Sequence, residues 1–151
     1  TFEVTGSEGG SDTLGLTIGA DEPPPTGATE GPDVLTGTEG DDTISGLGGN
    51  DTIYGLGGDD ILNGNGGDDH VMGNKGNDSV FGGDGNDTVR GGQDNDSVFG
   101  EDGNDWVTGE IGDDQVFGGL GSDIVLGGQG NDSLDGGDGD DFLLGQIGND
   151  T

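Results

Sequence analysis

This chain of 151 residues lacks cysteine and has very few basic residues. Only 2 lysines and arginines stand against 33 acidic residues, so the formal net charge is −31, and cysteine is absent. A field this negative repels nucleic acids and anionic membrane surfaces, and it attracts cations. Without cysteine, neither disulfides nor thiolate metal sites can form.

Apolar residues are also scarce, at 25% of the sequence, and no apolar run approaches the length of a membrane span. Burial of so little apolar surface cannot offset the conformational entropy lost on folding, so the composition alone is typical of intrinsic disorder. Glycine is abundant by contrast, with 40 residues. Something other than a hydrophobic core must therefore stabilise a fold, and a bound metal is the usual substitute in such chains.

From residue 28 to the end, the sequence repeats every nine residues with no insertion or deletion. Successive units include GLGGNDTIY, GNKGNDSVF and GGLGSDIVL, and the fourteenth stops after seven residues. Position 6 is Asp in all 14 units, and position 8 is Leu, Ile or Val in all 13 that reach it. Position 1 is Gly except in the first unit, and position 4 is Gly except at Asp94. This regularity predicts a solenoid of stacked repeats over residues 28–151.

Residues 1–27 do not follow the nine-residue register. Three consecutive prolines at residues 23–25 favour a stiff, extended spacer. We interpret residues 1–27 as the tail of an upstream module with a linker, and a disordered arm explains them equally well. A weak alternation typical of short strands involves Phe2, Val4, Leu14, Leu16 and Ile18.

The end of each unit has the pattern of a short strand. Side chains alternate in direction along a strand, so position 8 points inward while positions 7 and 9 point outward. The position-8 residues should then form a thin aliphatic core in which β-branched side chains dominate. The predicted core residues are Leu35, Ile44, Ile53, Leu62, Val71, Val80, Val89, Val98, Val107, Val116, Val125, Leu134 and Leu143.

The glycines and the aspartate of each unit have the pattern of a metal-binding turn. Glycine at positions 1 and 4, and often 2, permits positive φ angles and close backbone approach. Such a turn aims several carbonyl oxygens at one point, and the position-6 aspartate adds an anionic oxygen. Ca²⁺ takes 6 to 8 oxygen ligands, more than one such turn provides, so two stacked turns must share each ion.

Two units should make one coil of 18 residues, so turns two units apart stack on the same side. Fourteen turns form twelve such pairs, which predicts up to about 12 calcium ions. Residues 28–151 carry a charge of −26, which about 12 divalent ions would nearly neutralise. The predicted ligands are the side chains of Asp33, Asp42, Asp51, Asp60, Asp69, Asp78, Asp87, Asp96, Asp105, Asp114, Asp123, Asp132, Asp141 and Asp150, with turn carbonyls such as those of Gly49, Gly58, Gly67, Gly76, Gly85, Gly103, Gly112, Gly121 and Gly130. Pro32 and Asp94 make two of the turns look weaker.

The pattern GGxGxDxUx resembles the calcium-binding nonapeptide repeat of the RTX (repeats-in-toxin) family, over about four-fifths of the chain. The resemblance implies an all-β fold, a right-handed parallel β-roll, in which six residues form the turn and three form the strand. It also implies a secreted or cell-surface bacterial protein that leaves the cell unfolded through a type I exporter and folds in external calcium. The export signal would then lie beyond Thr151.

Other functional classes fit these residues less well. An EF-hand needs flanking helices, which the frequent glycines forbid. A disordered acidic chain has no reason to place an aliphatic residue every nine positions, although disorder without calcium is expected. His70, the single histidine, occupies an outward position with no catalytic partner, so no enzyme is predicted within this chain. We expect no cofactor other than calcium.

Two alternatives to a secretion module stay open. One is a structural or adhesive element of a surface layer, and the other is a polysaccharide-binding module beside a carbohydrate-modifying enzyme. Expected partners besides calcium are neighbouring domains of the parent protein, another copy of the chain or a surface polysaccharide. Lys75 and Arg90 alone do not make a basic groove for the polysaccharide.

Large apolar residues recur at outward positions on both predicted sheets. They either stabilise neighbouring strands or form a docking surface. One sheet should carry an aromatic ladder of Phe81, Phe99 and Phe117, and the other Trp106, Ile124, Leu126, Phe142 and Leu144.

Overall fold

The computed structural model describes residues 27–151, and this region is an all-β solenoid of thirteen strands. Each strand ends in a short turn that carries the position-6 aspartate of the next unit. The strands are β1 (Val34–Thr36), β2 (Thr43–Ser45), β3 (Thr52–Gly57), β4 (Ile61–Gly66), β5 (His70–Lys75), β6 (Ser79–Asp84), β7 (Thr88–Gln93), β8 (Ser97–Asp102), β9 (Trp106–Ile111), β10 (Gln115–Leu120), β11 (Ile124–Gln129), β12 (Ser133–Asp138) and β13 (Phe142–Ile147).

Alternate strands belong to opposite sheets. The odd-numbered strands form a seven-stranded sheet from β1 to β13, and the even-numbered strands form a six-stranded sheet from β2 to β12. All pairs are parallel, and each residue pairs with the residue 18 positions later, as Ile53 does with Val71. The predicted coil of two units is therefore confirmed. A shift of register would carry the aliphatic residues out of the core.

The core is a single file of aliphatic side chains between the two sheets. Eleven of the thirteen predicted residues are buried, from Leu35 to Val125. The prediction was wrong for Leu143, which is 43% exposed, and incomplete for Leu134, which is partly buried. Both lie in β12 and β13, the last strands of their sheets, where no following coil covers them.

The strands are longer than the family pattern implied. From β3 onward each has six residues, because pairing continues through positions 2 and 3 of the next unit, as between Leu56 and Asn74. Position 1 is skipped in the ladder. The turn proper is therefore confined to positions 4 to 6, and its aspartate lies immediately before the next strand.

The expectations for residues 1–26 lie outside the described part of the chain. No helix long and apolar enough to cross a membrane occurs among residues 27–151.

Candidate metal centre

Each unit from the third onward contains two residues in the left-handed backbone region. They occupy positions 2 and 4, as Gly83 (φ 115°) and Gly85 (φ 142°) do. The predicted positive φ angles are thus confirmed at these two positions but not at position 1. Asp94 is the only non-glycine at position 4 among them, and it has a φ of 76°. Such a conformation is uncommon for a residue with a side chain, although Asp tolerates it better than most.

The glycines at position 1 are needed for a different reason, which is close approach. A Cβ atom on Gly82 would lie 2.5 Å from Oδ2 of Asp87 and 2.7 Å from the carbonyl oxygen of Gly100 in the next coil. Two oxygens from successive coils thus converge in front of the glycine. We call this group, a position-1 glycine with its own aspartate and the position-1 carbonyl of the next coil, the carboxylate cradle.

The position-6 aspartates are buried, and their two carboxylate oxygens have different surroundings. Oδ1 of Asp87 accepts a hydrogen bond of 2.7 Å from the backbone N–H of Asp69, one coil earlier. Asp87 is only 2% exposed, so its Oδ2 is buried as well, yet that oxygen has no hydrogen-bond partner. The same unpartnered Oδ2 occurs in ten units, at Asp51, Asp60, Asp69, Asp78, Asp87, Asp96, Asp105, Asp114, Asp123 and Asp132.

Burial raises the pKa of these carboxyl groups, because removal from water disfavours the charged form. The pKa rises to about 7 at Asp87 and to about 8 at Asp96. A backbone hydrogen bond opposes the shift, and the negative charges of stacked aspartates add to it. Asp94 contributes to the field at both Asp96 and Asp78. Each carboxylate is thus poorly stabilised as an anion unless a cation lies beside it.

These residues fit a calcium ion. No three acidic or histidine side chains lie together as a metal cluster in residues 27–151, so most ligands would have to be carbonyl oxygens. The cradle supplies one carboxylate oxygen and one carbonyl oxygen, and position-4 carbonyls such as that of Gly67 lie against the next coil. Hard oxygen ligands of this kind suit Ca²⁺. The predicted aspartates and turn glycines are therefore brought together, and their role as ligands stays a prediction.

Four of the fourteen aspartates differ from the rest. Oδ2 of Asp33 and Oδ2 of Asp42 each accept hydrogen bonds from a threonine at position 2 of their own unit. Asp141 and Asp150 are half-buried at the other end of the solenoid. The uniform position-6 column does not separate these four, but threonine stands at position 2 only in the units of Asp33 and Asp42.

The sequence-based interpretation missed a second ladder, at position 5. The Oδ1 atom of Asp68 accepts hydrogen bonds of 2.9 Å from the backbone N–H of Asn86 and 3.1 Å from its side-chain amide, one coil later. These bonds lower the pKa of Asp68. Asn or Asp occupies position 5 in every unit except at Pro32 and Ser122, and this column was the available signal. The ladder runs in the opposite direction to the position-6 ladder and holds successive turns together.

The outer faces carry the two predicted groups of apolar side chains. Phe81, Phe99 and Phe117 stack with ring centroids 4.9 Å apart and interplanar angles of 5° and 4°, so the ladder is confirmed, although its rings are half-buried. On the seven-stranded sheet, the apolar surface consists of Leu126, which is half-buried, and the exposed residues Trp106, Ile124, Phe142 and Leu144.

Comparison with known proteins agrees with this geometry. The family model for the RTX calcium-binding nonapeptide repeat matches four times, at residues 27–62, 63–98, 90–125 and 117–151. A comparison with curated proteins finds no significant match. Because the matches cover the whole solenoid, with its two-unit coil and buried aspartates, the chain belongs to the RTX calcium-binding nonapeptide repeat family.

Proposed function

We propose that this RTX module belongs to a larger secreted or cell-surface bacterial protein and folds when calcium binds outside the cell. The observation that carries the proposal is the set of ten buried carboxylate oxygens without a hydrogen-bond partner. Burying an unpaired charge is costly, because the charge loses its hydration. The same carboxylates are hydrated in the unfolded chain, so without a cation the unfolded chain is favoured. A divalent cation at each cradle offsets that cost.

Folding and metal binding are then one linked process. The folded chain presents sites that the unfolded chain lacks, so calcium stabilises the fold by mass action. The thin core contributes little by comparison, with eleven buried aliphatic residues for 125 described ones. Extracellular calcium modules typically bind with dissociation constants of about 10⁻⁴ to 10⁻³ M, so the millimolar calcium outside a cell would fold the chain and the low cytosolic level would not.

The test is circular dichroism of the purified chain in a chelator and during a calcium titration. We expect a coil-like spectrum in chelator and a β-sheet spectrum in millimolar Ca²⁺. Mg²⁺ should substitute poorly, because it requires small octahedral sites and gives up water reluctantly. A complete β-sheet spectrum in chelator at neutral pH would show that folding does not depend on calcium.

A second candidate function is a structural or adhesive element in which modules associate. The apolar surface of the seven-stranded sheet favours it, because Trp106 is 49% exposed and Phe142 is 58% exposed in a chain that is otherwise acidic. Clustered apolar groups on a soluble surface often mark contact sites. Sedimentation in calcium tests this candidate.

A polysaccharide-binding role has less support. Aromatic recognition of a sugar requires an open ring face, and in the phenylalanine ladder both faces of Phe99 are covered by its neighbours. Arg90 is occupied by an ion pair of 3.7 Å with Glu110. The two basic side chains of the chain therefore offer no extended cationic groove.

A further inference from the structure

We propose that the first coil of the solenoid is a calcium-independent cap, in which Thr29 and Thr38 provide the interactions that calcium provides in the later turns. The turns concerned are residues 28–33 and 37–42, one on each side of the solenoid. This inference rests on the proposed function, since it divides the turns into those that hold calcium and those that do not.

The hydrogen bonds of the two aspartates carry the proposal. Oδ2 of Asp42 accepts hydrogen bonds from the backbone N–H of Thr38 at 2.5 Å and from its hydroxyl at 3.0 Å. Oδ2 of Asp33 accepts the equivalent pair from Thr29, at 2.6 and 2.9 Å. Two donors occupy both lone pairs of a carboxylate oxygen. The oxygen that is unpartnered in ten later turns therefore has two hydrogen-bond donors in the first two.

The backbone of these two turns also differs. Positions 2 and 4 have positive φ in all twelve later units, but Thr29, Gly31, Thr38 and Gly40 do not. Threonine is β-branched and strongly disfavours the left-handed region, so its presence at position 2 selects another conformation. The Thr38 hydroxyl also accepts a hydrogen bond of 3.1 Å from the N–H of Gly40, which closes the turn locally.

Burial does not explain the difference. Asp42 is 5% exposed, close to the later aspartates, yet its Oδ2 is satisfied within the turn. Twelve pairs of turns stack two units apart. In the two pairs that begin with Asp33 and Asp42, the aspartate of the first turn, which belongs to the cradle, has no free Oδ2. The remaining ten pairs match the ten unpartnered aspartates, from Asp51 to Asp132. The expected number of calcium ions is therefore about 10 rather than about 12.

A cap of this kind has a physical purpose. The end of a solenoid needs a unit that is stable without a neighbour on one side. A turn closed by its own threonine needs no ion shared with the next coil. Strands β1 and β2 of the first coil also pair with β3 and β4, so they give the first calcium-dependent coil a formed sheet edge.

The first experiment compares calcium stoichiometry, by equilibrium dialysis of the full chain, for Asp42→Asn and the matched variant Asp60→Asn. These aspartates stack on the same side, 18 residues apart. We expect the parent to bind about ten ions, Asp42→Asn to bind the same number, and Asp60→Asn to bind at least one fewer. Equal loss of calcium in both variants would overturn the cap.

The second experiment measures thermal stability in saturating calcium for Thr38→Val, with Thr88→Val as the control. Valine keeps the shape of threonine and removes only the hydroxyl, and the Thr88 side chain makes no hydrogen bond within residues 27–151. Thr38→Val should lower the melting temperature by about 4 °C at unchanged calcium stoichiometry, whereas Thr88→Val should not. An unchanged melting temperature for Thr38→Val would overturn the cap.

The two proposals fail in different ways. If the parent chain binds no calcium and gains no structure in it, the proposed function is wrong and the cap falls with it. If the parent folds in calcium but Asp42→Asn loses an ion, the proposed function stands and only the cap is wrong.

Discussion

Filling one carboxylate cradle tests the proposed site directly, and Gly82→Ala does so with a single methyl group. The new Cβ atom would lie 2.5 Å from Oδ2 of Asp87 and 2.7 Å from the carbonyl oxygen of Gly100. Real Cβ atoms are essentially never closer than 3.0 Å to such neighbours, so the carboxylate or the next coil has to move. The φ angle of Gly82 is not positive, so the effect is steric and not conformational.

The expected destabilisation has two parts. Overpacking a close-packed position costs about 1 to 3 kcal/mol. When the calcium concentration is about 100 times the dissociation constant of a site, loss of its ion lowers the free energy of unfolding by about 2.7 kcal/mol. The free energy of unfolding in calcium should therefore fall by about 4 to 6 kcal/mol. This is comparable to the whole stability of a marginal domain, so a higher calcium concentration should be needed for folding.

The assay is a calcium titration followed by circular dichroism, with ion stoichiometry measured in parallel. Gly66→Ala is the matched control, because it lies in the same sheet, has no positive φ, and its Cβ would have no neighbour closer than 3.9 Å. Gly82→Ala should bind at least one ion fewer, and Gly66→Ala should resemble the parent. If both variants fold at the same calcium concentration with the same number of ions, no ion uses the cradle.

Three further predictions concern cooperativity, pH and association. Asp87→Ala should reduce calcium stoichiometry and folding cooperativity more than Asp33→Ala, because Asp87 has stacked turns on both sides. Equal effects of the two substitutions in calcium titrations would contradict the stacked-turn arrangement. In calcium-free buffer, acidification should increase β-sheet circular dichroism, since the raised pKa values make the folded state bind more protons than the unfolded state. The stabilisation of the folded state by proton binding is fully present below the ordinary Asp pKa of 3.8, and it is lost as the pH rises through about 7 to 8. A circular dichroism spectrum that does not change with pH would refute this prediction. Finally, the chain should associate in calcium, and the double variant Trp106→Ser, Phe142→Ser should be monomeric in sedimentation experiments. If parent and variant are both monomeric, the apolar surface serves only to stack neighbouring strands.

The periodic sequence was sufficient to predict the coil. An uninterrupted period of nine, with one aliphatic residue per unit, places these side chains at the same point of successive units, where they can be buried together. The register of 18 and the buried positions from Leu35 to Val125 follow from it. The stacking of Phe81, Phe99 and Phe117 follows as well, because residues 18 apart on parallel strands are neighbours.

The uniform columns also concealed differences that depend on neighbours in space. All fourteen position-6 aspartates look alike in the sequence, yet Asp42 is satisfied by Thr38 whereas Asp87 has an unpartnered oxygen. Leu143 occupies a core position but is exposed, because it lies in the last strand of its sheet, whereas Leu35 in the first strand is buried.

The sequence by itself thus determined the repeat, the core and the kind of ion, since these depend on residue type and spacing. The tertiary structure decided which oxygens are free to bind that ion. Whether the carboxylate oxygen in front of a position-1 glycine also accepts hydrogen bonds from a threonine depends on the backbone angles of its turn. The burial of that oxygen and its approach to a carbonyl of the next coil arise only when the turns are stacked.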